Sequence, residues 1–219
     1  MSLIHTVSHP GTAGPLPTLI ALHGYGSHAM DLVGLTPMLA DGKLLVICPQ
    51  APYLVEEGAF SFSWSDAPRD SNRANAAAIT KAGADIVAFV DEAFAQYPVD
   101  PKRVILLGFS QGGGVAAHAA LIAPQRFAGL ALISTTLEDE WIGELHASPG
   151  ADKLPVLIQH GASDSTVPVT EAFSSSIRLQ GLGLKPELQQ FPMAHEISHE
   201  SAHSLSDWIS ATLKLEHSH

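Results

Sequence analysis

Residues 104–115 read V-I-L-L-G-F-S-Q-G-G-G-V, and no other stretch narrows the folding options of this chain as far. Four apolar residues run into Gly108-Phe109-Ser110-Gln111-Gly112, and small residues continue to 120. The pattern predicts a buried strand, a sharp turn at Ser110 and a helix. Such a turn holds its serine in strained backbone angles, and side chains two residues to either side would collide with the neighbouring strand and helix. Glycine at 108 and 112 meets that requirement. A Gly-x-Ser-x-Gly by itself is a weak pattern, but between a strand and a helix it marks a nucleophile elbow that lifts the hydroxyl above the sheet edge.

The rest of the chain supplies the sheet into which such an elbow fits. Residues 3–7 read as a short edge strand, and the Pro/Gly-rich segment 10–17 turns the chain into the apolar run 18–22. That run enters the glycine-bearing loop His23-Gly24-Tyr25-Gly26-Ser27, followed by a predicted helix over 31–39 and a strand over 44–48. Strand, loop, helix, strand implies a right-handed crossover and a parallel sheet. Residues 49–75 carry no period and contain Tyr53, Phe60, Phe62 and Trp64, so they are expected to form an ordered loop that walls a pocket or packs into the core. Helix spacing returns over 74–97 and stops at Pro98; further strands are expected over 127–133, 154–159 and 187–191, with helices over 169–179 and 199–213. Only about twenty residues, 134–153, occupy the place where a cap would be inserted, which predicts a minimal or absent cap domain. The whole chain, 1–219, is expected to be a single α/β domain with a mostly parallel central sheet flanked by helices, and Leu215 to His219 carry no weight in that reading.

A serine hydroxyl needs a base within hydrogen-bond reach and a third group to orient that base. On sheets that carry this elbow the chain order is serine, acid, histidine, with both partners on loops after later strands. Asp164 follows the strand 154–159, and His195 follows the strand 187–191. Ser110, Asp164 and His195 are therefore the expected catalytic residues. The oxyanion formed by attack needs preorganised donors, expected from the backbone N–H groups of Gln111, directly after the serine, and of Tyr25 in the first glycine loop. Trp64 and Met193 are the candidate substrate-facing side chains. His23 and His160, each before a glycine at a strand end, are expected to be structural and to hydrogen-bond nearby backbone. The spacing of His195, His199 and His203 imitates a metal-binding helix face, but His195 falls in the loop before the helix, so no metal is expected.

Composition removes several classes of function. The chain carries 22 acidic and 11 basic residues, a net charge of -11, without a Lys/Arg cluster, which disfavours nucleic acid and anionic membrane surfaces as partners. The one cysteine, Cys48, lies in an apolar run and reads as a buried small hydrophobe. No signal-peptide pattern or membrane-length apolar run is present, so a cytoplasmic protein without stable membrane insertion is expected. The oligomeric state stays open, and a homodimer is compatible with the sequence.

Taken together, Leu22-His23-Gly24-Tyr25-Gly26-Ser27, Leu107-Gly108-Phe109-Ser110-Gln111-Gly112-Gly113, His160-Gly161 with Asp164 and Val167-Pro168, and His195-Glu196-Ile197-Ser198 resemble the phospholipase/carboxylesterase family, which includes the acyl-protein thioesterases. The resemblance implies an α/β-hydrolase fold with a minimal cap, hydrolysis of carboxylic esters with thioesters and lysophospholipids as further candidates, and no cofactor. It assigns Ser110, Asp164 and His195 as the triad and the amides of Tyr25 and Gln111 as the oxyanion hole. Gly26-Ser27-His28-Ala29-Met30-Asp31 is closer to bacterial esterase-like members than to thioesterases, which have Gly-Asp and a tryptophan there. Ser63-Trp64-Ser65-Asp66 likewise stands where the family often has Trp-Phe-Asp. Two alternatives remain at this stage: a dienelactone-hydrolase-like enzyme, against which the serine at the elbow speaks, and a non-catalytic relative that binds a small ligand or a protein.

Overall fold

The computed structural model of the protein describes residues 3–66, 76–138 and 147–215. Seven strands form the main sheet in the order β1-β3-β2-β6-β7-β8-β9. They are β1 (His5–Ser8), β2 (Leu16–Leu22), β3 (Leu45–Pro49), β6 (Val99–Phe109), β7 (Gly129–Ile133), β8 (Val156–Gly161) and β9 (Pro186–Phe191). Only β1 runs antiparallel to its neighbour; every other pairing in this sheet is parallel. Strands buried on both faces read as continuous apolar runs rather than alternating ones, which is why β2, β3, β7 and β8 were visible as such.

The two-residue period of these strands divides the core. Ile20 and Leu22, Leu45 and Ile47, Leu106, and Leu130 and Leu132 face one side, where α1 (Ala76–Gln96), α2 (Gln111–Ile122) and α3 (Thr170–Gly181) pack. Leu19 and Ala21, Val46 and Cys48, Leu107, and Ala131 and Ile133 face the other, against Leu205, Ile209 and Leu213 of α4 (His199–Leu213). Each fully buried Leu or Ile contributes about 1.5–3 kcal/mol, so the alternation fixes the register of the sheet strongly. Between the helices of the first layer, a Cβ at Gly83 of α1 would run into the imidazole of His118 on α2. The glycine is what allows that close approach.

The expected elements are present, with bounds shifted by a few residues. The final helix falls where its periodicity places it, and Ser198 caps it by accepting a hydrogen bond from the Ser201 N–H at 3.2 Å. Two regions differ from expectation. The segment read as an α-helix over 31–39 is a 3-10 helix, Leu32–Met38, with Gly34 and Pro37 inside it; neither residue suits an α-helical interior. The aperiodic stretch after β3 contains a short hairpin, β4 (Tyr53–Leu54) with β5 (Phe62–Ser63). Part of that stretch, 67–75, together with the first two residues of the helix expected over 74–97, lies outside the described residues, as does 139–146 in the cap position. Among the described residues no cap layer covers the sheet.

Candidate active site

The site stands at the carboxyl ends of the parallel strands, the edge at which open α/β sheets bind ligands. β6 ends at Phe109, Ser110 takes φ 52° and ψ −122°, and α2 begins at Gln111. A non-glycine residue with those angles is strained, and the surroundings hold it. The Ser110 N–H donates to Ile133 O at 2.9 Å, while Ser110 O accepts from the Gly113 N–H at 2.9 Å and from the Thr135 hydroxyl at 2.7 Å. The glycines are required as the sequence suggested. A Cβ on Gly108 would strike the backbone of Gly112 and Gly113, one on Gly112 the carbonyl oxygens of Leu22 and His23, and one on Gly113 the side chain of Thr135.

Asp164 and His195 arrive from the loops after β8 and β9. The loop after β9 lies against the end of β8 at Gly161, where a Cβ would collide with the carbonyl oxygens of Met193 and Ala194. This contact, with Ser163 N–H donating to Met193 O at 3.1 Å, sets His195 over the aspartate. His195 Nδ1 donates to Asp164 Oδ2 at 2.8 Å, and the Ser110 hydroxyl donates to His195 Nε2 at 3.0 Å. A carboxylate only accepts, so the proton resides on Nδ1 and Nε2 keeps its lone pair toward the serine. The Asp164 side chain is fully buried and that of His195 is 21% exposed. Burial by itself would raise the Asp164 carboxyl, but hydrogen bonds from the Val167 N–H, His195 and the Thr166 N–H outweigh it and hold the group below its ordinary value.

The first glycine loop passes directly beside the serine. A Cβ on Gly24 would lie 3.2 Å from Ser110 Cβ and 3.2 Å from Phe109 Cδ1, and the next residue is Tyr25. The hairpin supports this loop: the Gly26 N–H donates to Phe62 O at 2.9 Å, the Phe62 N–H to Ser27 O at 2.9 Å, and Ser61 Oγ to Gly26 O at 3.0 Å. His23 is buried and structural as expected; its Nε2 accepts from the Ala51 N–H at 3.1 Å and its Nδ1 therefore donates to Gly24 O at 2.8 Å. His160, fully buried, donates from Nε2 to Val167 O at 2.8 Å.

Trp64 and Met193, the candidate substrate-facing side chains, are both buried. Trp64 is 2% exposed, its indole donates to His23 O at 2.8 Å, and its backbone N–H donates to Gln111 Oε1 at 3.0 Å. Met193 is 3% exposed, and its sulfur accepts from the Ser198 N–H at 3.5 Å. Both support loops because their neighbours close over them. The aromatic loop is thus core at Trp64, with Phe60 exposed at its outer end. Sequence reasoning missed Thr135 and the side chain of Gln111 as supports of the elbow. No local pattern marks them, since each partner is more than twenty residues away.

A mostly parallel sheet whose strand β6 ends in a strained serine before a helix, with the aspartate and then the histidine on loops after later strands, is the arrangement of the α/β-hydrolase fold. The profile of the phospholipase/carboxylesterase family matches residues 6–213, and the chain belongs to that family. It is 30% identical to a probable carboxylesterase of Oryza sativa subsp. japonica over 176 residues, 76% of this chain and 64% of that protein. The chain therefore spans less than two thirds of the length of that relative. A second rice relative, named a probable inactive carboxylesterase, is 26% identical over 207 residues, 89% of this chain and 84% of that protein. The crystal structure of esterase PE8 superposes with a TM-score of 0.84 and 26% identity, covering 97% of this chain and all of that one.

Proposed function

We propose that this chain is a serine hydrolase that cleaves carboxylic esters through an acyl-enzyme on Ser110. The observation that carries the reading is the unbroken line from Ser110 Oγ through His195 to Asp164, at 3.0 and 2.8 Å. Ser110 Oγ attacks the acyl carbon while its proton passes to His195 Nε2. The carbonyl oxygen becomes an oxyanion, received by the N–H groups of Tyr25 and Gln111, each such donor lowering the barrier by about 3 kcal/mol. The tetrahedral intermediate expels the alkoxide, which takes the proton from Nε2 and leaves as alcohol. Water then repeats the sequence on the acyl-enzyme, gives its proton to Nε2, and releases the acid as Ser110 regains its proton. Asp164 holds the imidazole in the competent tautomer and stabilises the transient imidazolium.

The reading comprises one domain over 1–219, a cytoplasmic location, and turnover without a cofactor. Thioesters present the same acyl centre and belong to the proposed range. Lysophospholipids are the further class to be tested beside them. The relative named inactive makes a non-catalytic binding protein the competing reading. Labelling of Ser110 by a fluorophosphonate and turnover of p-nitrophenyl esters, both abolished by Ser110→Ala, are the expected results. Unchanged turnover in S110A, or no labelling of folded wild-type protein, would overturn the proposal.

A further inference from the structure

Beside the reactive pair lies a groove of about 310 Å³, on the side of the 3-10 helix Leu32–Met38. Leu32, Leu35, Phe109 and Ile197 form its apolar surface, and His195 also lines it. Two carboxylates, Asp31 and Glu196, complete the lining, and among the described residues no lysine or arginine does so. Asp31 is fixed in place by the hydroxyl of Ser27, which donates to its Oδ2 at 2.7 Å. The Phe109 ring packs against the His195 imidazole with centroids 5.0 Å apart, so the groove and the base share a wall.

We propose that this groove receives the leaving alcohol and selects for uncharged or cationic alcohols against anionic ones. The inference rests on the serine-hydrolase reading above. The departing oxygen must collect its proton from His195 Nε2, so the leaving group exits on the histidine side, and this groove opens there. At about 30 Å³ per water, the space holds on the order of ten waters, room for a small branched or quaternary head. The apolar surface favours compact aliphatic alcohols. An anionic head would stand opposite Asp31 and Glu196, with no lysine or arginine among the described lining residues to offset them. The overall charge of -11 adds to that repulsion at a distance. Phosphate-bearing alcohols and thiols are accordingly disfavoured as leaving groups.

The test uses three acetates that share an acyl group: 2-(trimethylammonio)ethyl acetate, its uncharged isostere 3,3-dimethylbutyl acetate, and the anionic 2-sulfonatoethyl acetate. Their common acyl-enzyme makes deacylation identical, and kcat/KM reports acylation alone. Intrinsic differences in leaving-group reactivity cancel when ratios are compared between wild type and the D31N/E196Q double variant. The cation-to-neutral ratio is expected to fall by about two- to fivefold per carboxylate removed, and the anion-to-neutral ratio to rise by a similar factor. In wild type, 1 M salt, with a Debye length of about 3 Å, is expected to shift both ratios in the same directions. Equal ratios in wild type and variant, with all three esters turned over, would overturn the groove assignment and leave the hydrolase reading standing. No turnover of any ester together with no fluorophosphonate labelling of Ser110 would take down both.

Discussion

Gln111 reaches from the first residue of α2 to the backbone of Trp64, whose N–H donates to its Oε1 at 3.0 Å. The same amide donates from Nε2 to Ser63 Oγ at 3.0 Å. Through these bonds the elbow holds the hairpin, and the hairpin holds the Gly24–Tyr25 loop. Gln111→Ala is expected to leave buried donors unpaired, at a cost of about 1–3 kcal/mol in a urea titration. Steady-state kinetics are expected to show a larger loss in kcat than gain in KM, because the proposed oxyanion donors would lose their alignment while the groove is untouched. Equal stability and kcat would show that the hairpin stands without this bond.

Gly112→Ala places a Cβ against the carbonyl oxygens of Leu22, the last residue of β2, and of His23, the buried residue that follows it. Overpacking of this kind costs about 1–3 kcal/mol, and the displaced elbow should lose turnover as well. Gly181→Ala, at a helical position with open space around it, is the matched control. A thermal melt of both variants checks the contrast, and equal melting temperatures would refute it.

Asp164→Asn puts an amide opposite His195 Nδ1. Its NH2 donates where the carboxylate accepted, which favours the tautomer with the proton on Nε2, and that nitrogen then cannot accept the serine proton. A loss in kcat of about ten-thousandfold is expected. A weak effect of D164N would contradict the assigned roles.

His118 is buried between α1 and α2, its Nδ1 has no hydrogen-bond partner, and burial holds it below the ordinary value of 6.5. The unfolded chain therefore binds a proton at a higher pH than the folded one. Its contribution is fully present above 6.5 and declines as pH falls from 6.5 toward the folded value. His23, lowered by burial despite its bond to Gly24 O, acts in the same direction. His118→Leu is expected to make the acid-side loss of stability shallower, with His23 supplying the remainder. Urea midpoints from neutral to mildly acidic pH measure this; an unchanged slope would place the linkage elsewhere.

Residues close in sequence carried much of the site. Glycine at 108 and 112, the apolar runs of the sheet, and the order of Ser110, Asp164 and His195 follow from local sterics and strand periodicity, which act over a few residues. The expectation that Ser110, Asp164 and His195 meet followed from the order of their strands, and the structure brings them within hydrogen-bond distance. The 3-10 geometry of Leu32–Met38 was legible in principle, because Gly34 and Pro37 both disfavour an α-helix.

What the sequence alone determined is the turn at Ser110 and the strands that present its partners. Only the tertiary structure decided the fate of the residues around them. Trp64 is as apolar and aromatic in a pocket wall as in a core, and it became core because Gln111 and His23, distant in the chain, accept its two N–H groups. Asp31 and Glu196 are likewise unremarkable charges 165 positions apart until the first crossover and the loop after β9 set them on one groove. Local patterning selects the element, whereas burial and the pairing of polar groups depend on which elements pack together.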